Sequence, residues 1–258
     1  MAGEERFFQK LNAFLEPSAE ETAFVTQLLK RQRQCPAGEA LLVQGDSHPA
    51  TFALLDGWAV RHKALENGRR QILNVILPGD FVGLEAHVIA QAPASATTLS
   101  ACTLAEFRPA ATVRMLAEQP RLAAAMLWAT AREEAFLAER LLSLGRRPAI
   151  DRVGNFFVEL YHRLRLVGLA DGDTFEAPLN LDHIADALGL SVVHVSRTFG
   201  RLRQAKLLLR RGHSITILDL PALEKRTEFD GLYLGRRLPA GERYLRAPFS
   251  ADDLKDPF

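Results

Sequence analysis

Between about residues 36 and 108, short apolar runs are cut at close intervals by Gly38, Gly45, Gly57, Gly68, Gly79 and Gly83. At Pro120 that texture gives way to an unbroken helical pattern reaching Leu144. Segments such as Thr51–Leu55, Trp58–Val60 and Gln71–Leu77 read as strands, and Asn67-Gly68 reads as a two-residue hairpin turn between two of them. Many short strands with frequent turn signals demand an antiparallel sandwich, barrel or jelly roll. A chain of 258 residues is long enough to bury a substantial core and to carry a second domain beyond such a unit.

From Pro120 onward, Ala123, Leu127, Thr130, Glu134, Leu137, Leu141 and Leu144 recur at alternating spacings of three and four, apart from one gap at the polar Glu134. That spacing is the seam of a coiled coil, so these residues are the candidate homodimer contact. A second stripe through Leu122, Met126 and Phe136 faces the other way and predicts packing back onto the strands. Gly145-Arg-Arg-Pro148 breaks the helix and is the candidate hinge. Helix resumes over about 149–167 with Ile150, Val153, Phe156, Phe157, Leu160, Leu164 and Val167 on one face. Ala170–Asp173 reads as a loop, and 221–258, with scattered charge and several prolines, as a loosely packed C-terminal extension.

The formal net charge is only +1, but residues 191–213 carry Arg197, Arg201, Arg203, Lys206, Arg210 and Arg211 and no acid. Such a one-signed stripe in a near-neutral chain is the footprint of phosphate contact. The same region reads as a helix-turn-helix. Asn180 caps a short helix whose inner face is Ile184, Ala185 and Leu188, Gly189 supplies a left-handed turn, and Ser191 caps a second helix with Val192, Val195, Phe199 and Leu202 inward. Its outer face offers Val193, His194, Ser196 and Arg197 to base edges. Arg197 has the fork that matches guanine, and Val193 suits only a thymine methyl. Asn180, Ser191, Arg201, Arg203, Lys206, Arg210 and Arg211 are the candidate phosphate contacts. The last two sit on a small hairpin over 207–218, a wing laid against the backbone. Double-stranded DNA is the expected partner.

With those residues on the page, the stretch from roughly 20 to 220 resembles the family of the cyclic-AMP receptor protein and the fumarate–nitrate reductase regulator. The likeness lies in Leu77-Pro-Gly-Asp-Phe-Val-Gly83, Ser95-Ala96, Cys102–Phe107, the seam helix ending at Leu144, Asp151-Arg152-Val153 and Ile184–Leu202. It implies an α+β chain, with an N-terminal antiparallel jelly roll of the cyclic-nucleotide-binding type preceded by helices (1–118). A long dimerisation helix (119–145), a winged helix-turn-helix (146–220) and the extension (221–258) would follow. It further implies a cytoplasmic homodimer that regulates transcription on a palindromic site and meets RNA polymerase.

The departures from that pattern are specific. Cyclic-AMP-binding relatives open their phosphate cassette with Gly-Glu-Leu and close it with Arg-Ser or Arg-Thr. Here Gly83 is followed by Leu84, Glu85 falls one place late, and Ala94-Ser95 lacks the cation. The two adenine-holding positions of the long helix fall on Leu137 and Ala138. A buried phosphate without its cation costs several kcal/mol, so tight cyclic-AMP binding is not expected and the effector, if there is one, is unidentified. Control by abundance alone is the alternative. Cys35 and Cys102 cannot supply the iron–sulfur ligands of the oxygen-sensing branch, and no cofactor is predicted; a haem would have to use His87 or His48. Val193 also replaces the glutamate with which relatives read their half-site.

Other classes fit less well. A cupin-type enzyme needs clustered histidines and carboxylates, whereas His48, His62 and His87 lack that spacing, so no metal and no catalytic residue is expected. A nucleotide-responsive module of a partner enzyme would have no helix-turn-helix. No run approaches the roughly 20 apolar residues of a membrane span, and the N-terminus has no signal-like apolar core.

Overall fold

A computed structural model describes residues 2–47, 50–87, 89 and 91–234. Two helices open the chain, α1 (Ala2–Asn12) and α2 (Ala19–Leu29), the second held by a capping box between Ser18 and Glu21. Eight strands follow: β1 (Gln32–Cys35), β2 (Ala40–Leu42), β3 (Thr51–Asp56), β4 (Ala59–Ala64), β5 (Arg70–Ile76), β6 (Phe81–Val82), β7 (Ser95–Thr98) and β8 (Cys102–Phe107). They form two antiparallel four-stranded sheets, ordered β1-β8-β3-β6 and β2-β7-β4-β5. Leu42, Leu54, Ala59, Ile76, Ala96 and Leu104 fill the space between them. This is the expected α+β roll.

The β4–β5 turn departs from expectation. Leu65 N–H donates to the Arg69 carbonyl at 2.8 Å, leaving a three-residue loop, Glu66-Asn67-Gly68. A type I′ turn needs two left-handed residues, and here only Gly68 is one, because the Asn67 side chain accepts from Arg69 N–H instead.

Helix α3 (Pro109–Glu118) leads into α4 (Pro120–Arg146), which runs helically through Gly145 and breaks only before Pro148. The break therefore falls at the proline and not at Gly145. Leu122, Ala125 and Phe136 of α4 are buried, Leu122 against the N-terminal helices and the roll and Ala125 beside Phe14 and Leu15. Beyond the hinge lie α5 (Ala149–Leu166), β9 (Ala170–Asp171), β10 (Thr174–Glu176), α6 (Leu181–Leu188), α7 (Val192–Gln204), β11 (Leu208–Arg211), β12 (Ser214–Ile217) and α8 (Leu220–Thr227). The segment read as a loop at 170–173 is a β9–β10 turn that extends the wing into a four-stranded sheet, β11-β12-β10-β9.

The expected loose extension is also corrected over its described part. Leu223 and Thr227 of α8 are buried, and a 3-10 turn at Gly231–Leu234 brings Tyr233 edge-on to Phe136 of α4. A helix of eight residues carries too short a stripe to show a period, but Leu223 is enough to anchor it. Residues 235–258 lie outside the described residues.

Candidate nucleic-acid interface and sensor cavity

Local rules build the helix-turn-helix. The Asn180 side-chain oxygen accepts from His183 N–H at 2.8 Å, and His183 Nδ1 accepts from Asn180 N–H at 3.3 Å, closing both sides of the cap. Helix α6 ends at Gly189 in the left-handed region (φ 61, ψ 39), and Ser191 Oγ accepts from His194 N–H to start α7. Ile184, Ala185, Leu188, Val195 and Leu202 are buried and Phe199 is half-buried. Val192 was expected inward but is exposed, since the first residue of α7 projects beyond the crossing. Thr198 takes an inner position, its hydroxyl donating to the His194 carbonyl at 2.8 Å.

Val193, His194, Ser196 and Arg197 are all exposed on the first two turns of α7, and Arg201, Arg203 and Lys206 are exposed beyond them. Ser191 and Asn180 lie exposed at the N-termini of α7 and α6. The two wing arginines part company. Arg211 is exposed beside the Gly212 turn, whereas Arg210 is half-buried, donates to the Leu179 carbonyl at 3.0 Å and lies over the Phe199 ring at 5.4 Å. Successive strand residues point to opposite faces, so only one of two adjacent arginines can face outward. Arg210 therefore braces the wing.

One guanidinium ties the hinge to this motif. Arg152 donates to the carbonyls of Leu144 and Arg147 at the end of α4 and to Leu188 at the end of α6, at 3.0, 3.2 and 2.7 Å. The roll itself also touches α6. Arg70 of β5 pairs with Asp186 at 2.6 Å, and Gln71 donates to the Ala187 carbonyl at 3.0 Å. Burial lowers the pKa of His62 and His183, and the Arg70 charge lowers both further.

Beneath this contact lies a buried charge network that the sequence reading missed. Asp80 of the roll is paired with Lys10 of α1 and with Arg163 of α5, the latter at 3.0 Å. Arg163 also meets Glu159 at 3.1 Å and the Val75 carbonyl at 2.6 Å, while Arg140 of α4 stands 3.6 Å from Glu159. Burial pushes Lys10 down to about 8 against the pull of Asp80. Glu159 and Arg163, one helical turn apart beside the apolar residues Phe156, Leu160 and Leu164, were the available signal. Trp58, Val60, Ile72 and Val75 of the roll join Phe156, Phe157 and Leu160 of α5 in a single apolar core.

A cavity of about 350 Å³ lies between the N-terminal helices, the roll and α4. Gly83, Leu84 and Glu85 are among the residues that line it. Ala94, Ser95, Leu137 and Ala138 do not, because α4 turns Ala129, Arg132, Glu133 and Phe136 inward instead. Of the two candidate haem ligands, His48 lies outside the described residues, as does the side chain of His87. Cys35 and Cys102 are buried thiols, and burial pushes Cys35 up to about 11. Among the described residues no cluster of three histidine, cysteine or acidic side chains could hold a metal, and no helix is long and apolar enough to cross a membrane.

On α4 the seam residues differ in exposure, and Thr130 also lines the cavity. Leu127 and Leu141 are 71% and 72% exposed, and Thr130 and Glu134 are exposed between them. Ala123, Leu137 and Leu144 are partly covered.

Comparison with known proteins agrees with this architecture. Residues 32–119 match the cyclic nucleotide-binding domain, and residues 151–226 match the Crp-like helix-turn-helix domain. The chain is 33% identical over 187 residues to the transcriptional activatory protein AadR of Rhodopseudomonas palustris, covering 70% of this chain and 74% of that one. It is 31% identical over 196 residues to the nitrogen fixation regulation protein FixK of Bradyrhizobium diazoefficiens, covering 76% and 81%. The solved structure of FixK2 from Bradyrhizobium japonicum superposes with a TM-score of 0.69 at 24% identity, over 75% of this chain and 95% of that one. With a nucleotide-binding-type roll joined by one long helix to a Crp-like helix-turn-helix, the chain belongs to the Crp/Fnr family of DNA-binding transcription regulators.

Proposed function

We propose that this regulator works as a cytoplasmic homodimer that reads a palindromic operator with α7 and recruits or obstructs RNA polymerase there. The carrying observation is the pairing of two free surfaces: the exposed start of α7, and the exposed Leu127–Leu141 stripe of α4. Joining two stripes about a two-fold axis removes large apolar side chains from water and sets the two recognition helices in opposite senses. Two such helices reach successive major grooves about 34–36 Å apart.

Within each half-site Val193, His194, Ser196 and Arg197 read base edges. Asn180, Ser191, Arg201, Arg203, Lys206 and Arg211 hold phosphates. The sensor cavity takes an effector other than cyclic AMP, because the residues at the cassette positions offer a cyclic phosphate no cation. The role is binding, not catalysis. Selection of bound duplexes from a random pool, with sedimentation of the free protein, tests the reading. A two-fold-symmetric motif bound by a dimer is expected, and an asymmetric motif bound by a monomer would overturn it.

A further inference from the structure

The sensor cavity has an apolar body and one cation with no ion pair among the described residues. Leu11, Val25, Leu28, Met115, Leu122 and Met126 supply much of its wall. Its volume of about 350 Å³ is at the small end of the range for small-molecule sites, roughly 300–1,000 Å³. Arg132 lines it from α4 and is only 8% exposed.

That guanidinium stands over two aromatic rings, Trp128 at 4.6 Å and Phe136 at 5.2 Å. A ring satisfies the face of a guanidinium and leaves the N–H groups, which lie in its plane, without acceptors. Arg132 Nε has no hydrogen-bond partner among the described residues. Burial opposes its charge; Asp80, Glu133 and Glu159 support it from a distance, Arg163 repels it, and burial outweighs the rest.

The nearby acids are already engaged. Asp80 is held by Lys10 and Arg163, and Glu133 accepts from Asn74 at 2.9 Å and faces Arg61 at 3.5 Å. Glu85, also on the wall, is half-buried within the short 3-10 turn after β6. An unpaired buried cation costs several kcal/mol, and a ligand carboxylate offers the paired acceptors that its fork matches.

We propose that this cavity binds an amphiphilic monocarboxylate, its apolar body among the helices α1, α2 and α4 and its carboxylate on Arg132. This deepens the sensor reading above and rests on it. The site differs from the cyclic-phosphate cassette, since Ala94 and Ser95 are outside it. It also adjoins Asp80, which is paired with Lys10 and with Arg163 of the DNA-binding half, so a charge added here is felt at the junction between the two halves.

Calorimetry on the DNA-free full chain tests this, with octanoate, decanoate and dodecanoate as probes and the alcohols of the same chain lengths as controls. Saturable binding of at least one acid, with its alcohol weaker by about 10- to 100-fold, is expected. Arg132→Gln should erase that preference while a thermal melt shows the variant folded. No binding by any of the three acids, or equal binding of acid and alcohol, would overturn the proposal. The acid–alcohol comparison needs no variant, so a misfolded Arg132→Gln leaves the test intact. Because DNA is absent from the cell, a failure here leaves operator binding standing, and a failure of operator binding does not touch this result.

Discussion

Arg163 on the first helix beyond the hinge donates to Asp80 in the roll at 3.0 Å, an ion pair between two side chains that are 3% and 8% exposed. Together with the Lys10–Asp80 pair it binds three parts of the chain, α1, the roll and α5, at one carboxylate. A buried carboxylate in that position links the helix-turn-helix half to the roll.

Asp80→Asn should lower stability by about 3–5 kcal/mol, the usual effect of removing one member of a buried pair and stranding its partners. The pH dependence follows. Burial raises the Asp80 pKa, but the charges of Lys10, Arg163 and Arg132 outweigh it and hold the carboxyl well below its ordinary 3.8. A depressed folded value contributes stability above the unfolded value and loses it as pH falls below about 4. Urea melts from pH 3 to 7 should show a steep acid limb in the native chain and a shallower one in Asp80→Asn.

A second pH response belongs to the contact of β4–β5 with α6. Burial, then the Arg70 charge, hold His62 and His183 below their ordinary 6.5. Below that value the unfolded chain takes up protons that the folded chain resists, so stability falls as pH drops through the mid-sixes. The melting temperature should decline from pH 7 to 5.5, and His62→Gln should flatten the decline. An unchanged slope in that variant would remove His62 from the account.

The wing arginines should separate experimentally. Arg211→Ala should weaken all duplexes alike and reduce the salt slope by about one. Arg210→Ala should instead cost about 1.5–3 kcal/mol of folding stability, the worth of a charged hydrogen bond, with little change in that slope. Salt titrations of duplex affinity beside thermal melts distinguish them.

Arg197→Ala should lose about 1–3 kcal/mol on the selected operator and relax the preference at one base pair of each half-site. Competition assays with single-substitution operators measure this, and equal loss on random duplex would assign Arg197 to phosphate.

Leu127→Glu with Leu141→Glu should yield a monomer by sedimentation while the far-ultraviolet spectrum stays native. Both side chains are already mostly exposed in the single chain, so folding does not depend on them. Operator affinity should fall steeply, because each half-site would then be held alone.

What could be read from residues alone was what neighbours in the chain decide. Glycine spacing foretold the strands, the period of Ala123–Leu144 foretold the long helix, and Asn180, Gly189 and Ser191 foretold the ends of α6 and α7. Caps, turns and helical stripes act over a few residues, so their signals lie within a few residues. The β4–β5 loop was misread because the Asn67 side chain, rather than a second left-handed residue, closes it, and Val192 because the first residue of α7 projects beyond the helix crossing. The short strands β9 and β10 went unseen because they have only two and three residues, and the strand that anchors β10, β12, is distant in sequence.

Tertiary structure alone decided the rest. That Arg210 braces while Arg211 faces outward depends on which side of the wing sheet meets Phe199. That the cavity takes Arg132 rather than Leu137 and Ala138 depends on the rotation of α4 against the roll. The pairing of Asp80 with residues 70 and 83 positions away is invisible to any local rule. A buried charge is tolerated only where a distant partner arrives, and only the folded chain brings it there.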